Sequence, residues 1–159
     1  MIQKILACVI ALVAAALVAT PTLAAPLAVV AAENFYGDVA AQIGGAHVAV
    51  TSILTNPDQD PHLFEASAAT ARALAKAKIV IVNGLDYDPW MDKLLSASKA
   101  DGRVEINVAQ LNGRKAGDNP HLWYNPAYLK ALGEKLAAEL GAADLYSYVA
   151  VEIFGGHHR

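Results

Sequence analysis

The sequence predicts an α/β fold, a three-layer lobe in which a four-stranded, mostly parallel sheet carries helices on both faces. Four short apolar segments are each followed by a segment with helical spacing. Neighbouring strands that run in the same direction need a crossover, and a helix is the usual one. The length of 159 residues is enough for one such domain and too short for two lobes of ordinary size.

Residues 1–25 have the pattern of an export signal. Lys4 provides the positive start, residues 5–18 form an unbroken apolar run, and small residues at a cleavage site follow. The run is shorter than the roughly 20 residues that cross a bilayer, so we expect no stable membrane anchor after signal cleavage. The only cysteine, Cys8, leaves with the signal, and no thiolate then remains to bind metal. These features predict a periplasmic protein.

The first strand is expected at residues 26–32, a continuous apolar run of the kind that is buried on both faces of a parallel sheet. Phe35, Val39 and Ile43 follow at helical spacing, and a Gly-Gly pair ends that helix. The second strand is expected at residues 47–54, which leads directly into a polar, proline-containing loop.

The middle of the chain repeats this alternation. Ser67 is a favourable N-cap for a helix at residues 68–77. Residues 78–82 have the clearest strand pattern, with four consecutive β-branched side chains. Asp88 and Pro89 are of the types preferred at the N-cap and first position of a helix.

The last confident elements are a strand and a long helix. Residues 103–108 alternate and predict a weaker fourth strand, and Asn125 precedes a helix with leucines on one stripe. The domain is therefore expected to span residues 26–143. Residues 144–159 form an atypical C-terminal tail of β-like composition.

Two histidines occupy matching steps, Asp-Pro-His-Leu at His62 and Asn-Pro-His-Leu at His121. His62 follows the second strand and His121 the fourth, so both belong to the edge where the carboxyl ends of parallel strands meet. The proline before each histidine stiffens the backbone. Imidazole suits zinc, and also manganese when carboxylates complete the shell. We therefore expect His62 and His121 to bind a divalent metal.

Acidic residues accompany the two histidines. Glu33 and Asp86 are expected at the same edge of the sheet. Four further acids in the loops are candidates to accept the second N–H of each ring: Asp58, Asp60, Glu65 and Asp118. A lone histidine in an exposed loop is most often only polar surface. We interpret His47, at the opposite edge, in this way as structural.

Four sequence blocks surround these loops. They read Glu-Asn-Phe-Tyr-Gly from residue 33, Asn-Pro-Asp-Gln-Asp-Pro-His-Leu-Phe-Glu-Ala-Ser from residue 56, Val-Asn-Gly-Leu-Asp-Tyr-Asp-Pro-Trp-Met from residue 82 and Gly-Asp-Asn-Pro-His-Leu-Trp-Tyr-Asn-Pro from residue 117. Together they resemble the zinc/manganese-type substrate-binding proteins of bacterial ABC importers. The resemblance extends from about residue 27 to residue 143, and the combination of the four blocks makes it specific.

The resemblance implies the solute-binding component of an ABC transporter for divalent metal uptake, with a membrane permease and its ATPase as partners. Family members have two α/β lobes joined by one long helix, with the metal between them. His62 and His121 match the two ligands of the first lobe, and we expect zinc, with manganese as the alternative. The second lobe, which provides another histidine and an acidic ligand, has no counterpart after residue 143. We therefore expect an N-terminal lobe only, in a truncated form.

Two other functions stay open from the sequence. A small metal-dependent hydrolase would need an open metal position and a general base such as Glu65 or Asp118. The motifs of the common hydrolases are missing from the sequence, so we expect no enzyme. A surface adhesion or interaction role is the other alternative. The net charge of −3 provides no basic surface for nucleic acid, and we expect a monomer.

Overall fold

The computed structural model describes residues 25–141 of the chain. The expected export signal, apart from Ala25, and the expected C-terminal tail lie outside the described residues. Within residues 25–141, no helix is long and apolar enough to cross a membrane.

Four strands form one parallel sheet: β1 (Leu27–Glu33), β2 (Val48–Leu54), β3 (Ile79–Val82) and β4 (Val104–Asn107). Their order across the sheet is β2-β1-β3-β4, and each neighbouring pair runs parallel. The chain therefore moves outward in one direction from β1 to β2 and then in the other direction through β3 to β4. The expected mostly parallel sheet is confirmed, and all of its strands are parallel.

Five helices cover the sheet: α1 (Asn34–Gly44), α2 (Ala68–Lys76), α3 (Pro89–Ala97), α4 (Val108–Leu111) and α5 (Pro126–Glu139). Side chains of α1, α4 and α5 pack on one face, and those of α2 and α3 pack on the other. This division is expected for right-handed crossovers. The connection from β1 to β2 and the connections from β2 to β3 and from β3 to β4 cross the sheet in opposite directions, so their helices lie on opposite faces. The predicted three-layer α/β fold is thus confirmed.

The first strand joins the two apolar layers. Val29 and Ala31 belong to the cluster with α1 and α5, whereas Val30 and Ala32 belong to the cluster with α2 and α3. All four are at most 2% exposed. This alternation explains why the segment is apolar throughout, since a central strand of a covered sheet has no solvent-facing side.

Polar side chains cap the helices at several of the predicted points. Ser67 Oγ accepts from the backbone N–H of Thr70 at 3.2 Å, as expected for α2. Asn125 Oδ1 accepts from the N–H of Ala127 at 3.0 Å at the start of α5. Asn107 ends β4 one residue early, because its side chain caps the short helix α4, which the sequence did not predict.

Asp88 and Pro89 occupy the predicted N-cap and first positions of α3, but the side chain of Asp88 has another role. Its carboxylate makes no cap hydrogen bond at the start of α3. It turns back instead and accepts from the backbone N–H groups of Asn83 and Gly84, directly after β3. Asp88 therefore stabilises the connection between β3 and α3.

The strand order determines where a binding site can form. The carboxyl ends of β1 and β3 lie side by side, and the connections that leave them diverge to opposite faces of the sheet. Glu33 ends β1 and Asn83 follows β3. In open α/β sheets, ligands bind at this kind of topological switch point.

Gly37 allows α1 to lie close to β2. A Cβ atom at this position would lie 2.0 Å from Ser52 Oγ and 3.4 Å from a methyl carbon of Val50. Glycine is less favourable than alanine inside a helix by about 1 kcal/mol. The close packing of helix and strand explains why glycine is nevertheless present.

Gly37→Ala is expected to lower the free energy of unfolding by about 1–3 kcal/mol, because overpacking outweighs the better helix propensity. Urea denaturation followed by circular dichroism measures this. The control is Ser52→Ala, which removes the clashing oxygen, so the double variant should regain most of the loss. An equal loss in the single and double variants would show that the close approach is not the cause.

Candidate metal centre

Both predicted ligands lie in loops at the carboxyl edge of the sheet. His62 is in the 3₁₀ turn Pro61–Leu63 after β2, and His121 directly precedes the 3₁₀ turn Leu122–Tyr124 after β4. Both side chains are exposed. The ring of Tyr87 contacts both imidazoles, with centroid distances of 5.5 Å to His62 and 6.0 Å to His121. The structure therefore places both imidazoles next to the same aromatic ring, that of Tyr87.

The matching sequence steps have matching local hydrogen bonds. Asp60 Oδ1 accepts from the backbone N–H of His62 at 2.8 Å, and Asn119 Oδ1 accepts from the backbone N–H of His121 at 3.0 Å. A short Asx side chain that accepts from the N–H two residues later is a standard turn stabiliser. The intervening proline fixes φ. The sequence repeat thus becomes a repeat of backbone geometry.

Each imidazole has an acceptor at Nδ1. In His62 this nitrogen lies 3.0 Å from the backbone carbonyl oxygen of Asp86, and in His121 it lies 2.7 Å from Asn119 Oδ1. Carbonyl oxygens only accept, so Nδ1 of each ring is the donor and carries the proton. A neutral ring then has its lone pair on Nε2, which is the state in which imidazole binds a metal.

Carboxylates were candidates to accept the ring N–H groups, but Nδ1 of each ring has another partner. Asp60 bonds to the backbone of His62, and Asp118 bonds to the N–H of Lys115 and pairs with Arg114. A main-chain carbonyl and an amide side chain take the role instead. The asparagine two residues before His121 was visible in the sequence. The carbonyl that contacts His62, twenty-four residues further along the chain, was not.

The connection that provides this carbonyl has an unusual backbone. Gly84, Leu85 and Asp86 have φ values of 79°, 55° and 57°, in the left-handed region. Residues with a side chain rarely adopt this region, so the surrounding structure must hold the turn. The carboxylate of Asp88 does so, with bonds of 2.7 Å to the N–H of Asn83 and 2.9 Å to that of Gly84.

A buried acid lies at the end of β1. Glu33 is 2% exposed, and no donor within residues 25–141 reaches either of its carboxyl oxygens. Burial, and then the nearby Asp88, raise the pKa of Glu33 to about 9. Burial also raises the pKa of Asp88, but the N–H groups of Asn83 and Gly84 oppose this. Asp88 is therefore the ionised member, and Glu33 is neutral near pH 7. The predicted acid is present at this edge, but not as an exposed carboxylate.

Aromatic side chains form the surroundings of the histidines. Trp123 stacks on Phe35 with a centroid distance of 4.4 Å and also contacts Tyr87 and His121. Tyr124 is 77% exposed next to them. Burial is the first cause that raises the pKa of Tyr87, so the ring next to both imidazoles stays a neutral phenol at physiological pH. These contacts indicate packing roles for Trp123 and Tyr87.

The centre offers two imidazoles and few other donors. Within residues 25–141, no three histidine, aspartate or glutamate side chains come together in a group that could hold a metal ion. Zinc in proteins is almost always held by three or four protein ligands. The described part of the chain therefore provides half of a tetrahedral shell.

Comparison with known proteins identifies the family of the chain. Residues 29–147 match the family model described as zinc-uptake complex component A, periplasmic, or ZnuA. The chain belongs to the ZnuA family. The match covers the described fold from Val29 in β1 onward, including both histidine loops.

Two similar proteins have names that refer to manganese. The chain is 32% identical over 117 residues to the manganese-binding lipoprotein MntA of Bacillus subtilis, which covers 68% of this chain and 38% of MntA. It is 25% identical to the manganese ABC transporter substrate-binding lipoprotein PsaA of Streptococcus pneumoniae, over 74% of this chain and 42% of PsaA. This ZnuA-family chain thus spans about two fifths of the length of these relatives.

Solved structures have the same fold. The manganese-bound periplasmic metal-binding protein of Candidatus Liberibacter asiaticus superposes with a TM-score of 0.65 at 23% identity, over 78% of this chain and 50% of that one. Zinc-bound AdcA of Streptococcus pneumoniae gives a TM-score of 0.65 at 18% identity, over 82% of this chain and 30% of AdcA. These matches confirm the α/β lobe.

The raised pKa of Glu33 makes the stability of the protein depend on pH. Glu33 has an ordinary pKa of 4.5 and a folded pKa of about 9, so unfolding between these values releases a proton. Its protonated carboxyl contributes fully to the free energy of unfolding below pH 4.5. Above that pH the contribution falls by about 1.4 kcal/mol per pH unit, and it is lost as the pH rises through 9. Glu33→Gln is expected to remove this slope, so that the variant gains stability relative to the wild type from pH 5 to pH 9.

Urea denaturation at several pH values measures the difference, with Asp38→Asn at an exposed position as the control. Parallel pH profiles for the wild type and Glu33→Gln would contradict the assignment of a neutral Glu33.

Proposed function

We propose that this chain captures a divalent metal, zinc or manganese, through Nε2 of His62 and Nε2 of His121. The observation that carries the proposal is the pair of Nδ1 hydrogen bonds, to the Asp86 carbonyl and to Asn119. They leave the lone pair of each neutral imidazole on Nε2, free for a metal, at one edge of the sheet. The names of the relatives support the choice of metals, since one is a manganese-binding lipoprotein and one structure contains zinc.

The proposed role is that of the solute-binding component of an ABC importer. The protein acts outside the cytoplasm, in the periplasm, as a monomer, and it delivers the metal to a membrane permease that an ATPase drives. Membership of the ZnuA family and the name of PsaA support this role. In this role the metal is cargo and no chemical step follows its capture.

The two imidazoles set the strength of binding. Neutral nitrogen ligands bring no charge to offset the dication, and two ligands leave half of a tetrahedral shell to water or to groups outside residues 25–141. Binding by the described residues is therefore weak. An enzymatic role has less support, because Asp118, a candidate general base, is already bonded to Lys115 and Arg114.

The double variant His62→Ala/His121→Ala is expected to reduce zinc binding by the purified chain from weak to background, because both ligands are lost. Isothermal titration calorimetry with Zn²⁺ measures this. The matched control is His47→Ala, an exposed histidine at the amino-terminal side of β2, which should leave binding unchanged. Tight binding that survives in the double variant would refute the assignment.

A further inference from the structure

Side chains from residues 83–90 donate hydrogen bonds to the backbone of both histidine steps. Asn83 Nδ2 donates to the backbone carbonyl of Pro120 at 3.0 Å, and Trp90 Nε1 donates to the backbone carbonyl of Pro61 at 2.9 Å. Pro120 and Pro61 are the residues directly before His121 and His62. Each proposed ligand is therefore one peptide unit away from a side-chain hydrogen bond that originates in residues 83–90.

Both donors are buried and fixed in orientation. Asn83 is 0% exposed and Trp90 is 6% exposed. The hydroxyl of Tyr36 donates to Asn83 Oδ1 at 2.6 Å, which identifies the amide oxygen and turns the Nδ2 group toward Pro120. The indole ring of Trp90 packs on Phe64 with a centroid distance of 4.4 Å. A buried donor that loses its acceptor destabilises the fold, so these hydrogen bonds hold the two loops against the core.

The same stretch makes a third contact with the centre. The carbonyl of Asp86 lies in the middle of it and accepts from His62 Nδ1. His62 is thus held both at its backbone, through Trp90, and at its ring, through Asp86. His121 is held at its backbone through Asn83, and at its ring by its own neighbour Asn119.

We propose that Asn83 and Trp90 are positioning residues of the metal centre, Asn83 for His121 and Trp90 for His62. The connection from β3 to α3 then sets the geometry of both imidazoles at once. This inference rests on the proposed function, in which these histidines bind the metal. The physical reason is preorganisation: exposed loops that are already held in the binding geometry lose less conformational entropy when the ligand arrives.

Trp90→Phe tests the proposal, because it retains an aromatic ring against Phe64 and deletes the N–H. Zinc affinity is expected to fall about tenfold, the lower end of the effect of mutating an outer partner of a metal ligand, because the lost bond is to the residue before His62. In the metal-free protein, the ¹⁵N shifts of the His62 ring should move toward an average of both tautomers, while those of His121 stay unchanged. Calorimetry with Zn²⁺ and long-range ¹H–¹⁵N correlation spectra provide the two readouts.

Val80→Ala is the matched control. It removes volume from the same apolar cluster as Trp90 and makes no polar contact with either histidine step. It should lower stability and leave the zinc affinity and both sets of ring shifts as in the wild type. An equal loss of affinity in Val80→Ala and Trp90→Phe would overturn the proposal, because Trp90 would then act only through stability. Wild-type affinity and ring shifts in a folded Trp90→Phe would overturn it as well.

Asn83→Ala is the reciprocal variant and should change the ring shifts of His121 but not those of His62. A change in both histidines, or in His62 alone, would refute the separate roles. The ring shifts are read without metal, so they test the positioning even if the wild type binds no zinc. In that case the proposed function fails, and the positioning inference is judged on the tautomers alone.

Discussion

The carboxylate of Asp88 is the interaction on which the candidate centre depends. It binds the backbone N–H groups of Asn83 and Gly84 and thereby closes a turn whose next two residues, Leu85 and Asp86, are left-handed. An unsupported turn of this kind would open, because side-chain-bearing residues disfavour that conformation by roughly 1–2 kcal/mol each. The closed turn directs the Asp86 carbonyl at one histidine and the Asn83 amide at the loop of the other.

The position of this turn follows from the sheet. The order β2-β1-β3-β4 makes β1 and β3 neighbours whose connections leave to opposite faces. Two acids meet there, Glu33 and Asp88, and only Asp88 has N–H partners. The charge therefore stays on Asp88 and the proton on Glu33, since a buried site stabilises the carboxylate that has hydrogen-bond donors. Because Glu33 is neutral, this edge of the sheet buries the hydrogen-bonded charge of Asp88 and no unpaired charge beside it.

Local signals in the sequence were sufficient for most of the fold. The β-branched run of β3 and the caps at Ser67 and Asn125 predict their elements closely, because propensity and capping act within a few residues. The position of Asp88 before Pro89 likewise predicts the start of α3. It does not show where the carboxylate bonds, which is to the turn after β3 and not to the first turn of the helix.

The histidine pair was predictable only in part. The repeated Asx-Pro-His step showed that His62 and His121 are equivalent, and alternating strands and helices placed them at one edge. Their ring partners depend on side-by-side loops that are distant in sequence, such as the Asp86 carbonyl against His62. A main-chain carbonyl has no residue-type signature, so no sequence pattern could have identified it.

Two imidazoles, each with its proton on Nδ1, are proposed to bind one metal ion. X-ray absorption at the zinc K-edge of the zinc-loaded chain reports the ligands of that ion. We expect two imidazole ligands with Zn–N distances of about 2.0–2.1 Å, recognisable by the multiple scattering of the rings, and oxygen in the remaining positions. A zinc shell without imidazole scattering, or with one imidazole only, would contradict this proposal.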